Sequence, residues 1–199
     1  MLKSTAFTAA LVAGSAAASA QTQTFIANMT PDQVVPLNGA PEPVTDARGF
    51  GTFVLDQTDA NNPTLSYSLN FFNFDVASEL QAVHFHFGAP GDNGPHVLNV
   101  FGLPREDDAD MMVTGNTITG IWDDGDANNG PDGDRDNGDS IELSLMIDSL
   151  ITGQLYVQVH SFQYPVPDAG ELRGQIVTPE PATLGLVPMG MLLLARRRR

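Results

Sequence analysis

Apolar and polar residues alternate over short stretches of this chain, and glycine, proline, asparagine and aspartate separate the stretches. Alternation with a period of two places successive side chains on opposite faces of a β-strand, and the separating residues favour turns. The alternating stretches are 25–27, 53–55, 65–69, 83–87, 96–102, 114–122, 155–159 and 172–176. They predict an antiparallel β-sandwich or barrel of seven or eight strands, with these residues inward: Val83, Phe85, Phe87, Leu155, Val157 and Val159.

The segment after residue 138 fits two kinds of secondary structure. Asp139 followed by Glu142 resembles a capping box, which marks the start of a helix. The apolar residues that follow share one helical face: Leu143, Met146, Ile147 and Leu150. The same residues alternate well enough for a strand. We predict a short helix here, with the strand as the alternative.

Residues 123–139 form a low-complexity segment with seven aspartates, four glycines and three asparagines. Such a composition cannot bury apolar surface, so we predict a solvent-exposed loop. Two sets follow the early ligand spacing of a calcium loop: Asp124, Asp126, Asn128 and Asp132, and then Asp132, Asp134 and Asp136. The glutamate that completes an EF-hand at its twelfth position is missing from both, which excludes a strong EF-hand. Weak calcium binding and a merely solvated loop remain as alternatives.

The chain is strongly acidic and contains no cysteine. Its formal net charge is −15, and most of its basic residues lie near the two ends. Such a surface repels nucleic acid and attracts divalent cations, and it equally suits a salty exterior. Without disulfides, the fold must close on an ordinary hydrophobic core. We therefore expect no nucleic-acid partner.

The N-terminal segment has the order of a secretory signal peptide. Lys3 precedes an apolar, small-residue stretch over residues 6–18, and Ala18-Ser19-Ala20 forms a cleavage site. Residues 1–20 are therefore predicted to be removed before Gln21. Residues 21–178 then have the length of one domain.

Residues 179–199 contain a Pro-Glu-Pro tripeptide, an apolar stretch at 182–195 and four terminal arginines. These parts in this order resemble the PEP-CTERM sorting signal of Gram-negative bacteria. The resemblance implies that the tail inserts transiently in the inner membrane, where an exosortase cuts it and releases the protein to the cell surface or the exterior. The apolar stretch has fourteen residues, fewer than the about 20 that span a bilayer. A plain membrane anchor is the alternative.

Four blocks within residues 21–178 resemble the CHRD (chordin-type) domain. They are 25–36, 47–53, 82–95 and 155–176, and the GELRGQI motif at 170–176 is the most specific part. The resemblance implies an immunoglobulin-like β-sandwich and no known reaction. The chain departs from the family pattern in the acidic insert after Trp122 and in Phe85, where an aliphatic residue is more usual.

Histidines on two predicted strands share the polar face. His84 and His86 alternate with core residues, and His160 alternates with Val157 and Val159. Glu171 and Arg173 lie on the polar face in the same way, because they alternate with Leu172. His96 is assigned to a turn and is not counted in this group. If these strands are neighbours, the residues form one polar patch.

The polar patch predicts a transition-metal site. Three imidazoles with one open position suffice for zinc or copper, and Glu171 would be a fourth ligand or would fix a histidine tautomer. Binding should weaken as the imidazoles protonate near their reference pKa of about 6.5. The alternative is that the histidines only form hydrogen bonds with Glu171, Tyr156 or the backbone.

The sequence offers little support for catalysis. It has no thiol, no Gly-x-Ser-x-Gly motif and no phosphate-binding loop. Ser161 is adjacent to His160, and adjacent strand residues point to opposite faces, so they make no nucleophile–base pair. We therefore predict a non-catalytic exported protein that contacts extracellular protein or polysaccharide. The alternatives are a metal-binding protein centred on His84, His86 and His160 and, third, an unrecognised hydrolase.

Overall fold

A computed structural model describes residues 21–37, 39, 41–127, 139–167 and 169–180 of the chain. The predicted signal peptide, residues 128–138 of the acidic segment and the tail after residue 180 lie outside the described residues. The strands are β1 (Thr22–Met29), β2 (Arg48–Asp56), β3 (Thr64–Phe72), β4 (Leu80–Phe87), β5 (His96–Gly102), β6 (Met112–Thr114), β7 (Thr117–Trp122), β8 (Leu155–Ser161) and β9 (Leu172–Gln175). The helices are α1 (Val76–Glu79) and α2 (Leu143–Ile151). Within this part of the chain, no helix has the length and apolar character needed to cross a membrane.

The strands form two antiparallel sheets. The five-stranded sheet has the order β1-β2-β3-β7-β6, and the four-stranded sheet has the order β5-β4-β8-β9. Every pairing between neighbouring strands is antiparallel. The predicted antiparallel β-sandwich is therefore confirmed, with β4 in the interior of its sheet between β5 and β8.

Alternate residues of both sheets meet in one core. Phe85, fully buried on β4, contacts three aromatic rings of the five-stranded sheet edge-on. Its ring centroid lies 5.7 Å from that of Phe53, 5.2 Å from that of Tyr67 and 6.1 Å from that of Trp122. Phe85 thus packs between the two sheets, in contact with side chains of the facing sheet.

One predicted core residue lies at the surface. Val83, Phe85, Leu155, Val157 and Val159 are fully buried, as predicted. Phe87 is 41% exposed, so its inward assignment was wrong. It is the last residue of β4, so the inward face of the strand is no longer fully covered there.

The predicted helix is present, although its N-terminus differs from the prediction. Leu143 and Leu150 are buried on its inner face, with Met146 and Ile147 partly buried beside the core. The N-cap is Glu142, whose side chain makes no capping bond, so Asp139 is not the cap. The Asp124 carboxylate accepts the Ser144 amide at 2.8 Å, so a distant segment satisfies this helix end.

Candidate metal centre

The outer face of the four-stranded sheet is polar and yet buried. His84 and Asn99 are fully buried there, and Gln158 and Arg173 are nearly so. Loops after β4, β5 and β8 cover this face. The last loop approaches closely because Gly170 has a φ of +81° and no side chain, and a Cβ there would lie 2.6 Å from the Gln158 Nε2. The loops therefore enclose a buried polar site on this face of the sheet.

All four histidines of the chain gather under these loops. His84 and His86 lie on β4, His96 on β5 and His160 on β8. His86 pairs directly with His96, and His160 pairs with Ala82 of β4. His84, His86 and His160 thus share one face of adjacent strands, with His96 added. We call these four residues the histidine centre.

The ring of His84 contacts the rings of the three other histidines in the histidine centre. The ring of His96 lies 4.1 Å from that of His84, in a stacked arrangement, and 4.4 Å from that of His86, measured between centroids. The rings of His84 and His160 are 5.3 Å apart. One ring nitrogen from each of His84, His86 and His96 lies within 4.8 Å of the other two. Nitrogen ligands bound about 2.0–2.1 Å from one metal stand about 3–4 Å apart, so small side-chain rotations would complete a site.

Each imidazole has one nitrogen bound to an oxygen that can only accept a hydrogen bond. The pairs are His84 Nε2 with Leu103 O (2.5 Å), His86 Nδ1 with Gly94 O (2.9 Å), His96 Nδ1 with Asn99 Oδ1 (3.1 Å), and His160 Nε2 with Pro165 O. The bound nitrogen must carry the proton. In a neutral imidazole the other nitrogen then presents a lone pair, which is the form that ligates metals.

The opposite nitrogens of three of these imidazoles have no partner. His84 Nδ1, His86 Nε2 and His160 Nδ1 are buried and make no hydrogen bond. Buried polar atoms in folded proteins are nearly always paired, and leaving one unpaired costs about 1–3 kcal/mol. A cation bound among these imidazoles would satisfy the unpaired nitrogens.

The surroundings keep these imidazoles neutral. Burial lowers the pKa of His84 to about 3 and that of His160 to about 4, and the neighbouring His96 adds to both effects. Burial also lowers the pKa of His86 well below its ordinary value. Protons therefore compete for the ring nitrogens only at a pH far below the 6.5 expected from the sequence.

Two groups of residues hold the ligands in place from behind. Asn99 Oδ1 accepts a hydrogen bond from the His96 ring, and Asn99 Nδ2 donates one to Asp107 Oδ2 at 2.8 Å. These two bonds fix the orientation of the Asn99 amide. The Tyr156 ring stacks on His86 with centroids 5.0 Å apart, and the Arg173 guanidinium lies 3.7 Å from the Tyr156 centroid. Arg173 therefore reaches the predicted polar patch through Tyr156.

A cavity of about 610 Å³ opens over the histidine centre. His86, His96 and His160 line it, while His84 lies beneath them. Its other walls include apolar residues of the covering loops, Pro104, Val166 and Pro167, and Leu37 of the segment between β1 and β2. The cavity gives a metal ion or a small molecule access to the exposed side of the imidazoles.

The assignment of His96 to a turn was wrong. His96 is the first residue of β5 and belongs to the histidine centre. Register shifts occur in the β4–β5 pairing between Val83 and His84 and between Phe85 and His86. These bulges bring His96 and Asn99, three residues apart, to the same face, which simple alternation does not predict. The signal in the sequence was the apolar run that follows Gly94-Pro95 and begins at His96.

The structure does not bring the predicted fourth ligand to the histidine centre. Glu171 directly precedes β9 and lines a separate cleft with Ser161 and Phe162. His160 and Ser161 point into different cavities, as the alternation of β8 requires. The carboxylate partner expected for the histidines is therefore replaced by backbone carbonyls and by Asn99.

The acidic candidates have structural roles where they are described. The Asp124 carboxylate accepts the Ser144 amide at the start of α2, and Asp126 forms a capping box with Asp123. Asp126 is buried, contrary to the prediction of a solvent loop, and burial raises its pKa to about 6. Asn128, Asp132, Asp134 and Asp136 lie outside the described residues. Across the described ranges, the metal-ligating side chains that converge in a group are His84, His86 and His96. Calcium binding stays a prediction.

No curated protein and no solved structure matches the chain. The family model for the CHRD domain, which is in general non-enzymatic and indicates an extracellular β-sandwich, matches residues 25–176. The match contains both sheets, the four blocks found in the sequence and all four histidines. The chain therefore belongs to the CHRD domain family.

Proposed function

We propose that the domain binds one divalent transition-metal ion at the histidine centre and that copper is the preferred metal. Two observations carry this proposal: buried ring nitrogens of His84, His86 and His160 have no hydrogen-bond partner, and one ring nitrogen from each of His84, His86 and His96 converges within 4.8 Å. Imidazole nitrogen suits both copper and zinc, and at a site of given geometry divalent copper binds more tightly than zinc. Zinc is the alternative occupant.

A cluster held together by hydrogen bonds alone would explain only one of the two ring nitrogens of each imidazole. In such a cluster, the N–H of one ring would donate to the lone pair of the next. Here acceptor oxygens engage one nitrogen of every ring, namely Leu103 O, Gly94 O, Asn99 Oδ1 and Pro165 O. No ring N–H is left for another ring, and a bound cation would satisfy the remaining lone pairs.

Purified protein stripped with a chelator should bind one equivalent of Cu²⁺, and more tightly than Zn²⁺, in a calorimetric titration. The Cu²⁺ electron paramagnetic resonance spectrum should show splitting from nitrogen ligands. His86→Gln, which can keep a donor toward Gly94 O, should lower the Cu²⁺ affinity by at least about 100-fold, because even residues behind the ligands contribute about 10–100-fold.

Asp32→Asn is the matched control, because Asp32 is an exposed carboxylate far along the chain from the histidines. It should leave the affinity unchanged. A wild-type affinity equal to that of His86→Gln, or a spectrum without nitrogen splitting, would show that copper binds only to surface carboxylates.

We further propose that this domain works outside the cell, in contact with extracellular protein or polysaccharide. The signal-peptide pattern of residues 1–20, the sorting-signal pattern of residues 179–199 and the CHRD family support this location. An exosortase-type enzyme would process the tail during its transient insertion in the inner membrane. The acidic charge and the absence of cysteine are compatible with a salty exterior.

Protein recovered from the culture medium should begin at Gln21 and lack the segment after about Pro181. The reason is the Ala18-Ser19-Ala20 cleavage site together with the three-part tail. Intact-mass spectrometry measures both ends at once. A mass that retains Arg196–Arg199 in membrane-bound protein would make the tail a permanent anchor.

A further inference from the structure

A second cavity of about 710 Å³ lies at the end of the sandwich where β8 terminates. Its walls come from segments that are distant in sequence: residues 44–46, Asn73, residues 78–79, the turn 161–163, and Glu171. Hydrogen bonds fix these walls to one another. Tyr164 Oη contacts the Val44 backbone, and Asn73 Nδ2 donates to Asp46 O. The cleft is therefore built into the fold.

Three carboxylates line this cleft, those of Asp46, Glu79 and Glu171. No lysine or arginine is among the lining residues. We call this cavity the acidic cleft. Asp46 and Glu79 are exposed, and the Glu79 carboxylate accepts the Asp75 amide. The nearby Arg48 guanidinium donates to the carbonyls of Thr45 and Ala47 and is not part of the lining.

Glu171 sets the acidic cleft apart from an ordinary acidic surface. The residue is only 6% exposed, and within the described part of the chain its carboxylate makes no hydrogen bond or ion pair. Its backbone N–H is engaged with Val159 O, which holds the residue in place. Buried carboxylates are rarely left unpaired, because desolvation of the charge is costly. A cationic group entering the cleft would pair it.

We propose that the acidic cleft binds an arginine side chain of a partner protein. The carboxylates of the cleft do not converge as the histidine nitrogens do, so a metal ion would not reach all of them. A planar guanidinium can engage Glu171 with two parallel hydrogen bonds. Phe162, 67% exposed at the rim, offers an aromatic face for the same group. The net charge of −15 attracts a basic partner.

The test is a nuclear magnetic resonance titration of the protein with N-acetyl-arginine amide as the probe. The neutral counterpart N-acetyl-citrulline amide is the comparison. The arginine probe should shift resonances of Glu171 and Phe162, and citrulline should bind at least about tenfold more weakly. Glu171→Gln should reduce arginine affinity at least about tenfold. The melting temperature of this variant should stay about equal, because the carboxylate has no ion-pair partner to lose.

Glu42→Gln is the matched control, since Glu42 is exposed and does not line the cleft. It should change arginine affinity less than about twofold. If Glu171→Gln does not fold, Phe162→Ala decides and should also weaken binding. Equal binding of arginine and citrulline would overturn the proposal. Binding of a neutral oligosaccharide that Glu171→Gln leaves unchanged would also overturn it and assign the cleft to carbohydrate.

Discussion

Metal-free protein should lose on the order of 5 kcal/mol of stability between pH 6.5 and pH 4 through its histidines. In the unfolded chain the histidines titrate near their reference pKa of about 6.5. In the folded chain burial lowers the pKa of His84 to about 3 and that of His160 to about 4. Between these values the unfolded state binds more protons. The stability is therefore fully present above pH 6.5 and is lost as the pH falls toward the folded pKa values.

An aspartate opposes this trend. Burial raises the pKa of Asp126 to about 6, so the folded state takes up this proton before the unfolded state does. Asp126 therefore adds stability as the pH falls from about 6 toward the reference value of about 3.9 for an unfolded aspartate. The histidine contribution has to be separated from that of Asp126.

The variant His84→Gln separates the two contributions, because it removes one histidine titration and leaves Asp126 in place. Urea denaturation of both proteins, from pH 7.5 to pH 4, gives the free energy of unfolding at each pH. The wild-type protein should lose stability more steeply than the variant below pH 6.5. Parallel curves for the two proteins would mean that His84 titrates normally and is not buried as described.

Bound metal should lower the pH at which the protein unfolds in acid. A metal ion that binds only the folded state stabilises it by mass action, and protons compete with it for the ring nitrogens. Because burial lowers the pKa values of His84, His86 and His160, the copper-loaded protein should retain its ion well below pH 6.5. Loss of copper near pH 6.5, as in an unfolded histidine peptide, would contradict the buried centre.

Phe85→Ala should destabilise the domain by about 3–5 kcal/mol, the range for removal of a large aromatic side chain from a core. The ring of Phe85 is fully buried and contacts Phe53, Tyr67 and Trp122 of the facing sheet. Its removal leaves a cavity between the two layers that the sheets cannot easily close. The free energy of unfolding from urea titration measures the effect.

Phe87→Ala is the matched control, because the same residue type lies two positions further along the same strand and is 41% exposed. Its loss should cost less than about 1 kcal/mol. Similar losses for the two variants would mean that the two layers do not meet at Phe85. A small loss for Phe85→Ala would also reverse the face of β4 and remove His84 and His86 from the outer side.

Alternation along β4 and β8 was enough to predict which residues form the core and which histidines lie opposite it. Val83 and Phe85 are buried between the sheets, and His84 and His86 lie on the other face. This prediction works because side chains on a strand alternate whatever the strand packs against. It failed at Phe87, since alternation carries no information about where the facing sheet ends.

The sequence by itself therefore determined most of the strands, a short helix after residue 138, the family and the polar face that holds three of the histidines. It did not separate β6 from β7, which it merged into one stretch at 114–122. Only the tertiary structure decided that β5 and β8 flank β4, because strand order depends on contacts between distant segments. Bulges in β5 brought His96 into the centre, and loops buried the imidazoles and so lowered their pKa values. The turn at Gly170, with its positive φ, precedes Glu171, whose carboxylate lines the acidic cleft away from the histidines. Loop packing of this kind is not periodic, so no local pattern predicts it.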